Sequence, residues 1–257
     1  MPALRPAIKR SLLYTIGLWW LLVAPSMAGE QAPTPTAIQE PVATSIPPLR
    51  IPVLSPPSLQ YWDTEQFQDE THYTPATVDG HKAIKAQSHN AASGLVRKIS
   101  IDLNKTPYLH WHWRVDNVLH ATKEKTRQGD DYAARVYVIV SGGLFFWQTR
   151  ALNYVWSSNQ PVGSTWPNAF TGNAVMLAVR SGAGQTGQWL HETRNVLEDL
   201  QAYLQKPFKH IDAVAIMTDT DNSGQSATAY YGEIFFSESE FSESELSDRP
   251  IDSTVNR

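Results

Sequence analysis

The sequence predicts an all-β protein: a β-sandwich of jelly-roll type with one crossover helix near residues 195–205. Three observations predict it. Apolar residues recur at every second position along most of residues 59–237, which is the period of a half-buried strand. Turn signals separate these runs. One segment alone changes to helical spacing. Many short strands with a single helix bury their apolar faces best as two packed sheets, with the helix in a crossover.

The runs follow in order. LVRKISIDL, YLHWHWRVD, ARVYVIVSG, ALNYVWSS, NAVMLAVRSG, AVAIMTDTD and ATAYYGEIFF read as strands. Val78-Asp79-Gly80, Asn104-Lys105-Thr106-Pro107, Ser141-Gly142-Gly143 and Asp221-Asn222-Ser223-Gly224 read as turns between them. In NVLEDLQAYL the apolar residues Val196, Leu200, Tyr203 and Leu204 share one helical face. Asn195 with Glu198 three residues later reads as a capping box.

The flanks differ in composition. Residues 1–28 read as a signal peptide: Arg5, Lys9 and Arg10 precede the apolar run SLLYTIGLWWLLV, and Ser26-Met27-Ala28 supplies the small residues of a cleavage site. That run is short for a membrane span and is followed by Pro25. The expected location is therefore periplasmic or secreted, with no membrane span after cleavage. Residues 29–58 are Pro-rich and read as an extended linker. Residues 59–237 have the size of one domain. Residues 238–257 continue the tandem repeat SESEFSESEL and read as an acidic, solvated tail.

Composition excludes some functions. The formal charge is −4, and removing residues 1–28 takes away three basic residues and no acids, giving −7. A nucleic-acid partner calls for a net basic footprint, so none is expected. The chain has no cysteine, so an exported domain would rest on its core without disulfides.

Alternation assigns the faces. Val136, Val138 and Val140 turn inward, which sends Arg135 and Tyr137 outward. Val214, Ile216 and Thr218 inward leave Ala215, Met217, Asp219 and Asp221 outward. Val175, Leu177 and Val179 inward leave Ala174, Met176, Ala178 and Arg180 outward. In LHWHWRV, Leu109, Trp111, Trp113 and Val115 share one face, and His110, His112 and Arg114 the other. One sheet face would then present Arg, His, Tyr and Asp among alanines. An antiparallel sheet commonly has one solvated face, and that accounts for polar residues alone. Yet alanine beside arginine and tyrosine leaves a shallow groove, which suits a sugar, especially an acidic one, because Arg pairs bidentately with carboxylates. Trp147, Trp156, Trp166 and Trp189 lie at strand ends and loops, and at least one is expected as a stacking platform.

The stretch Asp219-Thr220-Asp221-Asn222-Ser223-Gly224 begins like a calcium loop, but position twelve is Tyr230 where an EF-hand needs Glu. It reads instead as a strand end entering a hairpin. Asp219, Asp221 and Glu233 remain metal candidates for a structural calcium; no cofactor is required. His110 and His112, with His191 or His120, are a weaker zinc set. Acid–base candidates include Asp130, Asp131, Asp219 and Asp221, and no spacing singles out a pair. There is no nucleophile elbow, P-loop or dinucleotide fingerprint.

The series LHWHWRV, GDDYAARVYV, LNYVW, HETRNVLEDL and MTDTDNSGQSATAYYGEIFF resembles domain of unknown function 3047, a family of exported bacterial proteins. The resemblance spans about residues 60–237. It implies an exported β-rich domain and no established activity. A looser similarity joins the Trp-rich opening, the "RNV…D" segment and the closing YYGEIFF to galactose-binding-type jelly rolls of carbohydrate-binding modules. There the last acidic strand lies near a structural calcium, and Glu233 is the matching residue. The polar residues in the family motifs are Asp130, Asp131, Arg135, Asn153, Tyr154, Trp156, Arg194, Asn195, Asp199, Asp219, Asp221 and Asn222. From face and motif together, Arg135, Tyr137, Tyr154, Trp156, Arg180, Arg194, Asp219 and Asp221 are the expected ligand-binding residues. The expected function is non-catalytic binding of a glycan or other small polar ligand. The alternatives are a polysaccharide hydrolase or lyase acting through Asp131 or Asp219, and a structural cell-envelope protein whose tether and tail meet unidentified protein partners.

Overall fold

Two sheets carry the fold. The computed structural model describes residues 50–54, 59–120, 122–143 and 148–241. The expected signal peptide, most of the linker, Trp147 and most of the acidic tail lie outside these residues. In chain order the strands are β1 (Arg50–Leu54), β2 (Asp63–Gln68), β3 (His72–Val78), β4 (His81–His89), β5 (Ala92–Asp102), β6 (Tyr108–Val115), β7 (Ala134–Val140), β8 (Arg150–Ser157), β9 (Thr165–Pro167), β10 (Ala174–Ser181), β11 (Leu190–Asn195), β12 (His210–Asp219) and β13 (Ser226–Ser237). One α-helix, α1 (Val196–Leu204), joins β11 to β12.

The first sheet has the order β11-β6-β13-β4-β3, with β1 also paired to β13; the second has the order β2-β5-β12-β7-β8-β10-β9. All these pairs are antiparallel except β8 with β10. The arrangement is the all-β sandwich of jelly-roll type that the alternation predicts. The helix also matches: Asn195 caps it by accepting from the Glu198 backbone N–H at 3.3 Å.

Between the sheets lies one core. Val136, Val138 and Val140 from β7, Val214 and Ile216 from β12, and Leu109, Trp111, Trp113 and Val115 from β6 fill it, as their alternation predicts. Trp111 and Trp113 meet edge to face, with centroids 5.5 Å apart at 87°. A smaller cluster, Tyr132, Val155, Trp166, Met176 and Ala178, packs on the opposite face of the seven-stranded sheet. Met176 and Ala178 do face away from the main core, but loop residues roof them over.

Three expectations need correction at the borders. β1 lies in the Pro-rich stretch, and Leu54 is buried, so the domain begins before residue 59. At the other end Phe241 is also buried, so the chain is still anchored to the domain at residue 241. And β6 belongs to a different sheet from β7, β10 and β12. His110, His112 and Arg114 therefore face away from the core on the six-stranded sheet. They cannot complete a groove with Arg135 on the seven-stranded one.

Candidate functional site

The expected binding residues divide into two places and the core. On the outward face of the seven-stranded sheet, β7 and β12 run side by side, with Arg135 opposite Met217 and Tyr137 opposite Ala215. Arg135 reaches along β12 to Asp219. Its Nε donates to Asp219 Oδ1 at 2.8 Å and its Nη2 to Asp219 Oδ2 and to the Asp130 carbonyl at 2.5 Å. Its guanidinium lies over the Tyr132 ring at 4.3 Å. Both partners are closed off: Arg135 is 4% and Asp219 2% exposed. The Tyr137 hydroxyl donates to Met217 Sδ at 3.2 Å.

Asp131 closes the same cluster. It accepts from the backbone N–H groups of Asn222 at 3.2 Å and Ser223 at 2.6 Å, and from the Asn222 amide at 3.2 Å. The stretch quoted as a calcium-like loop is thus a turn clamped onto a buried aspartate. Asp131, Asp219 and Asp221 each place a carboxylate oxygen within 4.8 Å of the others, so these three residues could hold a cation. Glu233, on β13, lies outside this group, and among the described residues no histidine forms a comparable one. Burial pushes the Asp219, Asp130 and Asp221 carboxyls above the usual range; Arg135 opposes the shift in all three, and neighbouring aspartates add to it. The catalytic candidates Asp131 and Asp219 are both buried and fully engaged.

The second place is the open edge of the sandwich at β11. Along this strand Leu190, Glu192 and Arg194 pair with Trp113, Trp111 and Leu109 on the core side. His191, Thr193 and Asn195 take the other side. Glu192 accepts from Trp113 Nε1 at 3.0 Å and from Arg180 Nε at 2.5 Å. Asp199 on α1 accepts from the Tyr154 hydroxyl at 2.8 Å and from Arg194 through Nε at 2.8 Å and through Nη2. Buried aromatic donors thus need acids, and the acids need arginines. Burial raises the Glu192 pKa, opposed by the Arg180 bond.

Two residues expected to stack on a ligand cannot. Tyr154 and Trp156 are 0% and 1% exposed, inside the main core. They pair with Val136 and Ala134, so they share the inward parity of β7. Arg180 was expected to point outward. The register shifts between Ala178 and Arg180, and this bulge puts Arg180 opposite Trp156, on the core side. Of the other tryptophans, Trp166 is buried, and Trp189 is half-buried against His81 and Tyr230. Nor do the three expected arginines leave a guanidinium for bidentate capture of an acidic sugar: Arg135, Arg180 and Arg194 all bind carboxylates in this way.

Two depressions open at the β11 edge. The larger, about 240 Å³, is lined by Tyr108, Thr193, Arg194, Asn195, Glu198, Asp199 and Glu240. The smaller, about 170 Å³, is lined by Val162, Gly163, Leu177, Ala178, Val179, Glu192, Thr193, Arg194 and Tyr203. Thr193 and Arg194 belong to both. Sequence reading found Arg194 but missed Thr193, Glu192 and Tyr203. The alternation in LHETRN was the available signal, and it has too few apolar residues to mark a strand.

Fold and site together define an all-β sandwich with a buried acid–arginine cluster on one sheet face and an accessible polar cleft at the opposite sheet's edge strand. The chain belongs to the family described as protein of unknown function (DUF3047), whose model matches residues 60–235. No curated protein matches it. Among solved structures it is similar to the family 11 carbohydrate-binding module from Clostridium thermocellum in complex with a β-1,3-1,4-mixed-linked tetrasaccharide. The identity is 7% and the TM-score 0.39, over 73% of this chain and 94% of that one. It is similar also to endoglucanase cel12A from Rhodothermus marinus, at 9% identity and a TM-score of 0.40, over 74% and 99% of the chains. The glycoside hydrolase domain of Spr0440, Endo-D, from Streptococcus pneumoniae R6 is 10% identical with a TM-score of 0.38; the match covers 70% of this chain and 22% of that one. At these levels the likenesses carry no argument about what the chain binds.

Proposed function

We propose that this is an exported, non-catalytic domain that binds a glycan at the β11 edge, centred on Arg194. One observation supports the reading above the others: Arg194 stands where the two depressions meet. Asp199 fixes it through Nε and Nη2. A pre-positioned donor loses little freedom on binding. The smaller depression combines the apolar residues Val162, Leu177 and Val179 and the Tyr203 ring with the polar residues Thr193, Glu192 and Arg194. A sugar ring has that same combination, with C–H groups on its faces and hydroxyls at its rim. A concave site with a few convergent polar groups is the usual form of a small-ligand site.

The hydrolase or lyase alternative needs a carboxylate that reaches its substrate. Asp131 and Asp219 are 0% and 2% exposed, which speaks against them. Export rests on residues 1–28 and is tested by sequencing the N-terminus of the mature protein from whole cells.

The binding test is a glycan array probed with wild type and with Val162→Trp. Val162 is 64% exposed, so the substitution fills the cleft mouth without touching the core. The proposal expects a set of bound glycans in wild type and at least a tenfold weaker signal in the variant at an equal thermal midpoint. Equal binding by both proteins would remove the site; no bound glycan at all would remove the function.

A further inference from the structure

We infer that Glu240, carried on a strap formed by residues 238–241, sets the charge selectivity of the Arg194 cleft, admitting neutral sugars and turning away uronic acids. This rests on the glycan-binding reading and adds which ligands that site accepts.

The strap is anchored. Its terminal Phe241 is 5% exposed and packs against the rings of His110 at 5.5 Å and Phe235 at 6.3 Å. The Ser237 hydroxyl donates to the Ser239 carbonyl at 2.6 Å, which turns the chain at the end of β13. His110 ties strap to cleft. Its Nε2 lies 2.9 Å from Ser237 Oγ, and its Nδ1 lies 3.0 Å from Oγ1 of Thr193, which lines both depressions. An acidic segment with no anchor would be a solvated tail. This one is held, and it places Glu240 in the lining of the larger depression.

The charges of that lining then decide what enters. Arg194 and Asp199 neutralise one another through two hydrogen bonds. Glu198 accepts from the Asn195 amide at 2.8 Å. Glu240 has no hydrogen-bond partner among the described residues and is exposed. Among the described residues neither Glu198 nor Glu240 forms an ion pair, so the lining carries two carboxylates without a paired cation. A uronate would bring a third negative charge to an arginine already committed. A neutral sugar brings hydroxyl donors, which a free carboxylate accepts well. The structure therefore reverses the preference for acidic sugars that the arginines suggest in the sequence.

The test measures binding of three matched pairs by ligand-detected NMR: glucose with glucuronate, galactose with galacturonate, mannose with mannuronate. Wild type, Glu240→Gln and Phe241→Ala are compared, each first shown to keep the wild-type thermal midpoint within a few degrees. In wild type the neutral member of at least one pair binds, and its uronate is several-fold weaker. Glu240→Gln narrows that ratio by about threefold to tenfold, the effect of removing one nearby partly screened charge. Phe241→Ala narrows it in the same direction by releasing the strap. A neutral sugar that binds with an unchanged ratio in Glu240→Gln overturns the Glu240 assignment and leaves the site standing. Tighter uronate binding by wild type also overturns the assignment. If no sugar of the three pairs binds any of the proteins, both the site and the assignment fail.

Discussion

Arg135→Met should destabilise the domain by about 4 kcal/mol, the range for removing one partner of a buried ion pair. The structure explains why the cost is large. Arg135 supplies two hydrogen bonds to Asp219 and one to the Asp130 carbonyl, and it covers the Tyr132 ring. Methionine fills much of the volume, so the loss comes from stranding charge rather than from a cavity. Asp219, 2% exposed, would keep only the Tyr132 backbone N–H at 3.2 Å. Urea unfolding measures the loss: with a slope of about 2 kcal/mol per molar, the midpoint falls by about 2 M. Arg135→Met combined with Asp219→Asn removes both charges and should return to within about 2 kcal/mol of wild type. Acid should help the single variant. Burial already raises the Asp219 carboxyl, and losing Arg135 leaves that rise unopposed. A carboxyl with a raised folded-state pKa binds its proton more tightly when folded. The deficit therefore shrinks as pH falls through that folded-state value. A loss under about 1 kcal/mol with no coupling to Asp219 would refute the reasoning. It would mean a solvated guanidinium and return the outward sheet face to candidacy as the ligand groove.

Other outcomes follow from the same structure. Burial, then the neighbouring His110, holds His191 down at about 4, below its usual 6.5. The unfolded chain then binds the extra proton first, so stability falls as pH drops from about 6.5 toward 4. After discounting for its partial exposure the effect is about 1–2 kcal/mol; His191→Gln should flatten that part of the urea-midpoint profile. Asp221→Asn relieves repulsion with Asp131 and should raise the thermal midpoint in metal-free buffer, and a lower midpoint would contradict that. Millimolar calcium then tests the expected cation: a rise in wild type that Asp221→Asn loses assigns it to the three aspartates, and equal midpoints remove it. Gly129→Ala would put a Cβ 2.3 Å from the Lys123 backbone nitrogen, which should destabilise by about 1–3 kcal/mol; a neutral result would mean that the 123–129 loop yields freely.

What the sequence made legible was whatever alternation controls. β5, β6, β7, β8, β10, β12 and β13 all overlap the runs read as strands, and Asn195 caps α1. Residues at the edges were harder. β2 is exposed at every position and so has no apolar phase to read. β11 spends its core-side positions on Glu192 and Arg194, which no hydrophobic pattern reveals. Alternation also fixes a face only within one strand. It could not say that β6 joins the other sheet, that a bulge re-aims Arg180, or that Tyr132 and Trp166 roof the face carrying Arg135. Arg135, Arg180 and Arg194, expected to bind ligand, each bind a carboxylate of the chain instead. Their partners Asp219, Glu192 and Asp199 lie 84, 12 and 5 residues away in the chain, and only the fold brings them together.

The central claim is that ligand binds at the β11 edge and not on the Arg135 face. A titration of the isotopically labelled protein with its best array glycan, followed through backbone amide shifts, tests it most directly. The account predicts shifts clustered on Thr193, Arg194, Asn195, Tyr203 and Gly163, with Arg135, Tyr137 and Asp219 unmoved. Shifts centred on Arg135, Tyr137 and Asp219, with the β11 edge silent, would contradict it.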